Sequence, residues 1–172
     1  MHRLNSLPSI YRRHVVFSLT ALLVVAADQL SKSWVRSNLA VGESLPEMGF
    51  LRLTYVQNTG SAFGLFRDQT LLLAIVAFIG IAILLLFGLF RHRRFPFLAT
   101  VPAKLLLGLV LGGTVGNLLD RLGYGYVTDF IDIGRWPAFN IADSAVVVGA
   151  ILIACLLIRL TESSEHSDGQ SI

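Results

Sequence analysis

Between Asn117 and Asp143 the chain places Asp120, Asp129, Asp132 and Asp143 beside Asn117, Asn140 and Arg121. These are four of its eleven acidic residues, set between two long apolar stretches. Ionisable groups at a membrane boundary are costly to keep and mark a functional site by default. Two aspartates brought together can share one proton and activate a water, the chemistry by which paired carboxylates hydrolyse amide bonds. Other hydrolytic chemistries are poorly supplied. The histidines, His2, His14, His92 and His166, lie away from the acidic segment, and no H-E-x-x-H or cysteine pair suggests zinc. Ser31 and Lys32 are adjacent and point in different directions on a helix, so they cannot act as a dyad. Ser144 has no outward-side histidine to serve as its base. No metal or cofactor is expected.

The elements that must position these residues are membrane spans. The 172 residues are 54% hydrophobic, too apolar for an ordinary soluble domain. Four stretches reach the roughly 20 residues a spanning helix needs: about 15–35, 70–90, 99–119 and 141–160. The expected fold is an all-α membrane protein with four transmembrane helices in one domain. A small extracytoplasmic β-rich loop is expected between the first two helices. Outer loops cover 36–69 and 120–140, and the polar tail 161–172 is expected to be disordered. The first span is too long for a cleaved leader and carries Asp28 and Lys32 where small residues would be needed. Cys155 is the only cysteine and reads as packing.

Arg3, Arg12 and Arg13 precede the first span, and Arg91, Arg93 and Arg94 crowd the turn between the second and third. The positive-inside rule makes that side, and both termini, cytoplasmic. The net charge of +3 distributed this way is not a nucleic-acid signature. Spacing then brings the unusual polar residues to one face. Asp28 lies ~20 Å along the first helix from Val15, toward its outer end. Asp28 and Lys32 share a helix face, as do Asn117 and Arg121 at the outer end of the third span. Asn140 is positioned to cap the fourth helix, with Asp143 in its first turn. Leu51–Val56 alternates like a strand, and the turn-rich run Asn58-Thr59-Gly60-Ser61-Ala62-Phe63-Gly64 follows it. A transporter or channel subunit with Asp28 as coupling carboxylate is the competing class. It would spread polar residues through the bilayer, whereas the second span has no charge.

Five blocks carry a resemblance. They are Asp28-Gln29-Leu30-Ser31-Lys32, the run 58–64, Gly112 through Arg121, Val127-Thr128-Asp129-Phe130, and Phe139-Asn140-Ile141-Ala142-Asp143. In this order and spacing they resemble the signal peptidase II family, membrane aspartyl proteases of bacterial lipoprotein maturation. Ser61, Thr114 and Val115 stand where the family typically has alanines and a leucine, and are small or apolar replacements. The resemblance implies that Asp129 and Asp143 are the catalytic dyad. It implies that Asp28, Lys32, Asn58, Gly60, Asn117, Arg121 and Asn140 line or support the site. Its implied substrate is a diacylglyceryl-prolipoprotein, cut just before the lipidated cysteine at the outer face of the cytoplasmic membrane. Membrane lipids are the other expected partner, with no nucleic acid and a monomeric state. Asp143, at a helix start, is expected to be the ionised member and Asp129 the protonated one. Asp28 paired with Lys32 is expected to anchor the loop 36–69 against the bundle. Arg121 and Asn117 are expected to hold substrate carbonyls or that loop.

Overall fold

The computed structural model describes residues 9–60, 65–90 and 96–168. His2, Arg3, Ser61–Gly64, the Arg91, His92, Arg93 and Arg94 turn, and the last four residues lie outside these ranges. Four long helices are α1 (Ser9–Asn38), α2 (Thr70–Leu85), α3 (Val101–Tyr124) and α4 (Ile141–Asp168). Each contains a stretch long and apolar enough to cross a membrane, that of α2 once the turn continuing it to Leu89 is included. Their outward residues, such as Leu22, Leu71, Phe78 and Ile151, are exposed and apolar, as lipid-facing surface requires.

α3 is the central helix and packs against the other three. Glycines make the close packing possible. A Cβ at Gly112 would lie 2.6 Å from the Ala21 carbonyl oxygen, and one at Gly113 would lie 2.3 Å from that of Ala142. Without side chains there, α3 approaches the backbones of α1 and α4 directly, which is how helices associate in lipid. At the end of the bundle away from the sheet, Phe17, Ala21, Leu98, Leu107 and Leu111 form a core. There the buried Lys104 donates to the Gly88 carbonyl, in a π-helical turn (Leu86–Phe90) that prolongs α2.

The helices run past the expected ends. α3 continues through Asp120 and Arg121 to Tyr124, because Asp120 is buried against Lys32 of α1 rather than left in water. Gly125, at φ 78°, ends it with a left-handed cap. α4 extends through Asp168, so the segment 161–168 is helical and not a disordered tail.

The small sheet has three antiparallel strands in chain order: β1 (Ser44–Leu45), β2 (Arg52–Asn58) and β3 (Val127–Asp132). β1 and β2 come from the loop between α1 and α2, as expected. β3 comes from the connection between α3 and α4 and was not legible as a strand. Its residues are buried apart from Ile131, so no polar–apolar alternation marks it. Tyr55 and Phe130 pack on Val35 and Leu39, which seats the sheet on the end of α1. The β2–β3 register sets Val56 opposite Asp129 and Asn58 opposite Val127, with a bulge between Leu53 and Val56.

Candidate active site

β3 holds Asp129 in its middle, and α4 holds Asp143 in its first turn. Both line one cavity of about 1140 Å³. Asp129 Oδ1 accepts from Asn140 Nδ2 at 2.7 Å, and Oδ2 accepts from Asn58 Nδ2 at 2.9 Å. Asp143 Oδ1 accepts from Asn117 Nδ2 at 2.7 Å. Each aspartate is thus held by neutral amides, with no direct ion pair to either among the described residues.

Asn140 organises the pair. Its Oδ1 accepts the Asp143 backbone N–H at 2.8 Å, while Asp143 Oδ2 accepts the Asn140 N–H at 3.3 Å. This is a reciprocal capping box at the start of α4. With its acceptor end used on the helix, the donor end of Asn140 is directed at Asp129. Asn58 works in the same way. Its Oδ1 accepts the Gly60 N–H at 2.9 Å, leaving Nδ2 for Asp129. Burial raises the Asp129 carboxyl to about 7, the nearby Asp143 charge adds to the rise, and the Asn58 and Asn140 amides oppose it.

Behind the pair lies a buried ionic cluster. Lys32 Nζ is 2.9 Å from Asp28, 3.4 Å from Asp120, and donates to Asn117 Oδ1 at 2.8 Å. Asp28 Oδ1 accepts the Ala142 N–H at 3.0 Å, a second cap on α4. Asp28 and Lys32 therefore do not anchor the loop 36–69. They sit fully buried between helices and tie α1 to α3 and α4, and Val35 and Leu39 seat the sheet instead. Asn117 is likewise engaged inside the bundle. Arg121 does reach the loop, with its guanidinium 3.4 Å from the Gly60 carbonyl oxygen.

The nine residues singled out from the sequence thus fall into one connected assembly. Asp120, Gln29, Arg36 and Thr128 belong to it as well. Asp120 accepts the Thr128 N–H at 2.8 Å, which fixes the strand position beside Asp129. Gln29 bridges Asp28, Asp120 and the Gly116 carbonyl, and Arg36 reaches Asp120 and Thr128. Asp120 follows Asn117 by three residues, and Arg36 follows Lys32 by four. Helical spacing alone would have placed each on its partner's face.

A four-span membrane protein with one buried and one half-buried carboxylate at the junction of sheet and bundle is suited to hydrolysis beside lipid. Residues 20–159 match the family model described as signal peptidase (SPase) II. A lipoprotein signal peptidase of Dehalococcoides mccartyi is 43% identical over 159 residues, covering 92% of this chain and 96% of the relative. One from Moorella thermoacetica is 45% identical over 143 residues, covering 83% and 92%. A solved bacterial membrane enzyme, at 2.3 Å resolution, superimposes with a TM-score of 0.75 at 31% identity, over 84% of this chain and 88% of that one. The chain belongs to the signal peptidase II family and is a membrane peptidase.

Proposed function

We propose that this chain is an aspartyl endopeptidase acting on diacylglyceryl-modified prolipoproteins. It cleaves just before the lipidated cysteine, at the outer face of the bacterial cytoplasmic membrane. The observation that carries this reading is the pair Asp129 and Asp143, amide-held and lining one cavity. In the proposed reaction the ionised Asp143 takes a proton from a water, which attacks the scissile carbonyl. The protonated Asp129 donates to the carbonyl oxygen, and the pair then returns a proton to the leaving amine. The two carboxyls titrate as a unit, and one proton between them is the working state. The carboxyl of Asp129, raised to about 7, supports its role as proton holder near neutrality.

The cavity lining supports the substrate class. Asn58, Gly60, Arg67 and Arg121 offer polar contacts for a peptide, while Ala77, Val146 and Val147 offer an apolar wall between α2 and α4. A groove of this composition lets acyl chains stay in the membrane while the peptide bond reaches the carboxylates. Relatives carrying the printed name lipoprotein signal peptidase support the same class. The basic residues Arg12 and Arg13 before the first span support cytoplasmic termini and an outward sheet.

The test is cleavage of a diacylglyceryl-modified lipobox peptide by membranes containing equal amounts of the parent chain, Asp129→Asn or Asp143→Asn. Each variant should lose at least about a thousandfold in rate, the scale of removing a proton-transfer group with its partner. Full cleavage by either would sink the dyad.

A further inference from the structure

We propose that Lys32 is a positioning residue that acts through the Asn117 amide to decide which of the two aspartates carries the shared proton. The inference rests on the dyad reading above and adds what sets its asymmetry.

A primary amide has a donor end and an acceptor end of nearly equal shape, so its orientation follows from the groups around it. An ammonium has only donors. Lys32 Nζ, fully buried and 2.8 Å from Asn117 Oδ1, therefore fixes the acceptor end of that amide toward itself. Asn140 Nδ2, at 3.2 Å from the same oxygen, imposes the same sense. The donor end is then obliged to face Asp143 Oδ1 at 2.7 Å. A donor polarised by an ammonium is best received by a carboxylate, and hydrogen bonds in such a chain strengthen one another. Asp143 also faces the N-terminal end of α4, whereas Asp129 sits on a strand without an equivalent dipole. The ionised state is thus directed to Asp143, and the proton is left for Asp129.

The other charges facing the pair pull in both directions. From α1, the Asp28 charge opposes ionisation of Asp143, while Lys32 pairs with it at 2.9 Å. From α3, Asp120 is shared between Lys32 and Arg36. Arg121, also on α3, faces both aspartates but Asp143 more strongly than Asp129, and so acts in the same sense as the Lys32–Asn117 relay. β2 contributes the neutral Asn58.

The test uses the full chain in detergent, at a pH just below the value of about 7 at which Asp129 titrates. Infrared spectroscopy reads the C=O stretch of a protonated carboxyl. With Lys32 in place, Asp129→Asn should leave Asp143 ionised and contribute no such band. Combining Asp129→Asn with Lys32→Met should produce one, and further replacing Asp143 by Asn should remove that part of it. Asn117→Ala breaks the relay while leaving Lys32 paired with Asp28 and Asp120, so it decides the matter where Lys32→Met does not fold. Combined with Asp129→Asn, it should produce the same Asp143 band. In cleavage assays, the Lys32→Met or Asn117→Ala single variant should lose at least about tenfold in kcat with KM changed less than about threefold. The acid limb of its pH profile should move toward neutrality. A wild-type profile with no Asp143 band in either background would overturn the proposal, even with the dyad intact. Cleavage by Asp129→Asn itself would instead overturn the dyad.

Discussion

Each proposed catalytic aspartate is held by an asparagine whose other end is already committed elsewhere. That arrangement orients carboxylates without neutralising them, which a lysine or arginine in direct contact would do. It also makes the pH dependence specific. The Asp129 carboxyl titrates near 7 in the folded chain, against an ordinary value of 3.8. Cleavage should therefore fall as pH rises through about 7, when the shared proton is lost, and a pH–rate profile of kcat checks this. Stability follows the same group. Between 3.8 and about 7 the folded chain binds the proton that the unfolded chain has released, so this group makes the fold weaker as pH rises across that window. Asp129→Asn should flatten that part of the melting temperature's pH dependence; a slope unchanged from the parent would show that another group is responsible. Asp120 should matter through its charge and its hydrogen bond to β3. Asp120→Ala leaves the buried Lys32 with one carboxylate fewer and frees the Thr128 N–H. A cost of about 3 kcal/mol or more in unfolding free energy is expected. The proposed catalytic aspartates could be singled out by eye because acids near apolar helices are rare. The amide orientations could not, because they depend on helix rotations that no spacing specifies.

At the level of elements, α3 sets the geometry because its glycines admit neighbouring backbones. Gly113→Ala would put a methyl 2.3 Å from the Ala142 carbonyl oxygen, one residue from Asp143. It should destabilise by about 1–3 kcal/mol and displace the start of α4, with cleavage falling in step. Gly123→Ala is the control. It lies in the last turn of the same helix with nothing within 4 Å, so it should be neutral or slightly stabilising. Thermal unfolding of both in one detergent distinguishes local packing from a general intolerance of α3 to substitution. The four helices were legible from continuous apolar runs and β2 from the alternation of Leu51–Val56, whereas the two residues of β1 are too short to show a pattern. β3 was hidden because Val127–Asp132 carries two aspartates and is buried on nearly every residue. The extra turn of α3 was hidden because Asp120 and Arg121 look like loop residues until Lys32, Asp129 and Asp143 face them.

For the molecule as a whole, the sheet, the cavity and the buried ionic cluster gather at one end of the bundle, and the proposal places that end outside the cell. Met48 in the sheet-bearing loop is 86% exposed. With Cys155 replaced by alanine, Met48→Cys should react with an impermeant maleimide added to intact spheroplasts. Labelling only after the membrane is opened would reverse the orientation. The bond from Asp28 to the Ala142 N–H joins the first span to the last across 114 positions of sequence. Its consequence concerns the order of synthesis. A nascent chain holding only three spans has its lysine and acids in place but lacks the helix start they cap, and it lacks Asp143. Proteolytic competence would then be the last property acquired during insertion, so an incomplete chain in the membrane is harmless to its neighbours.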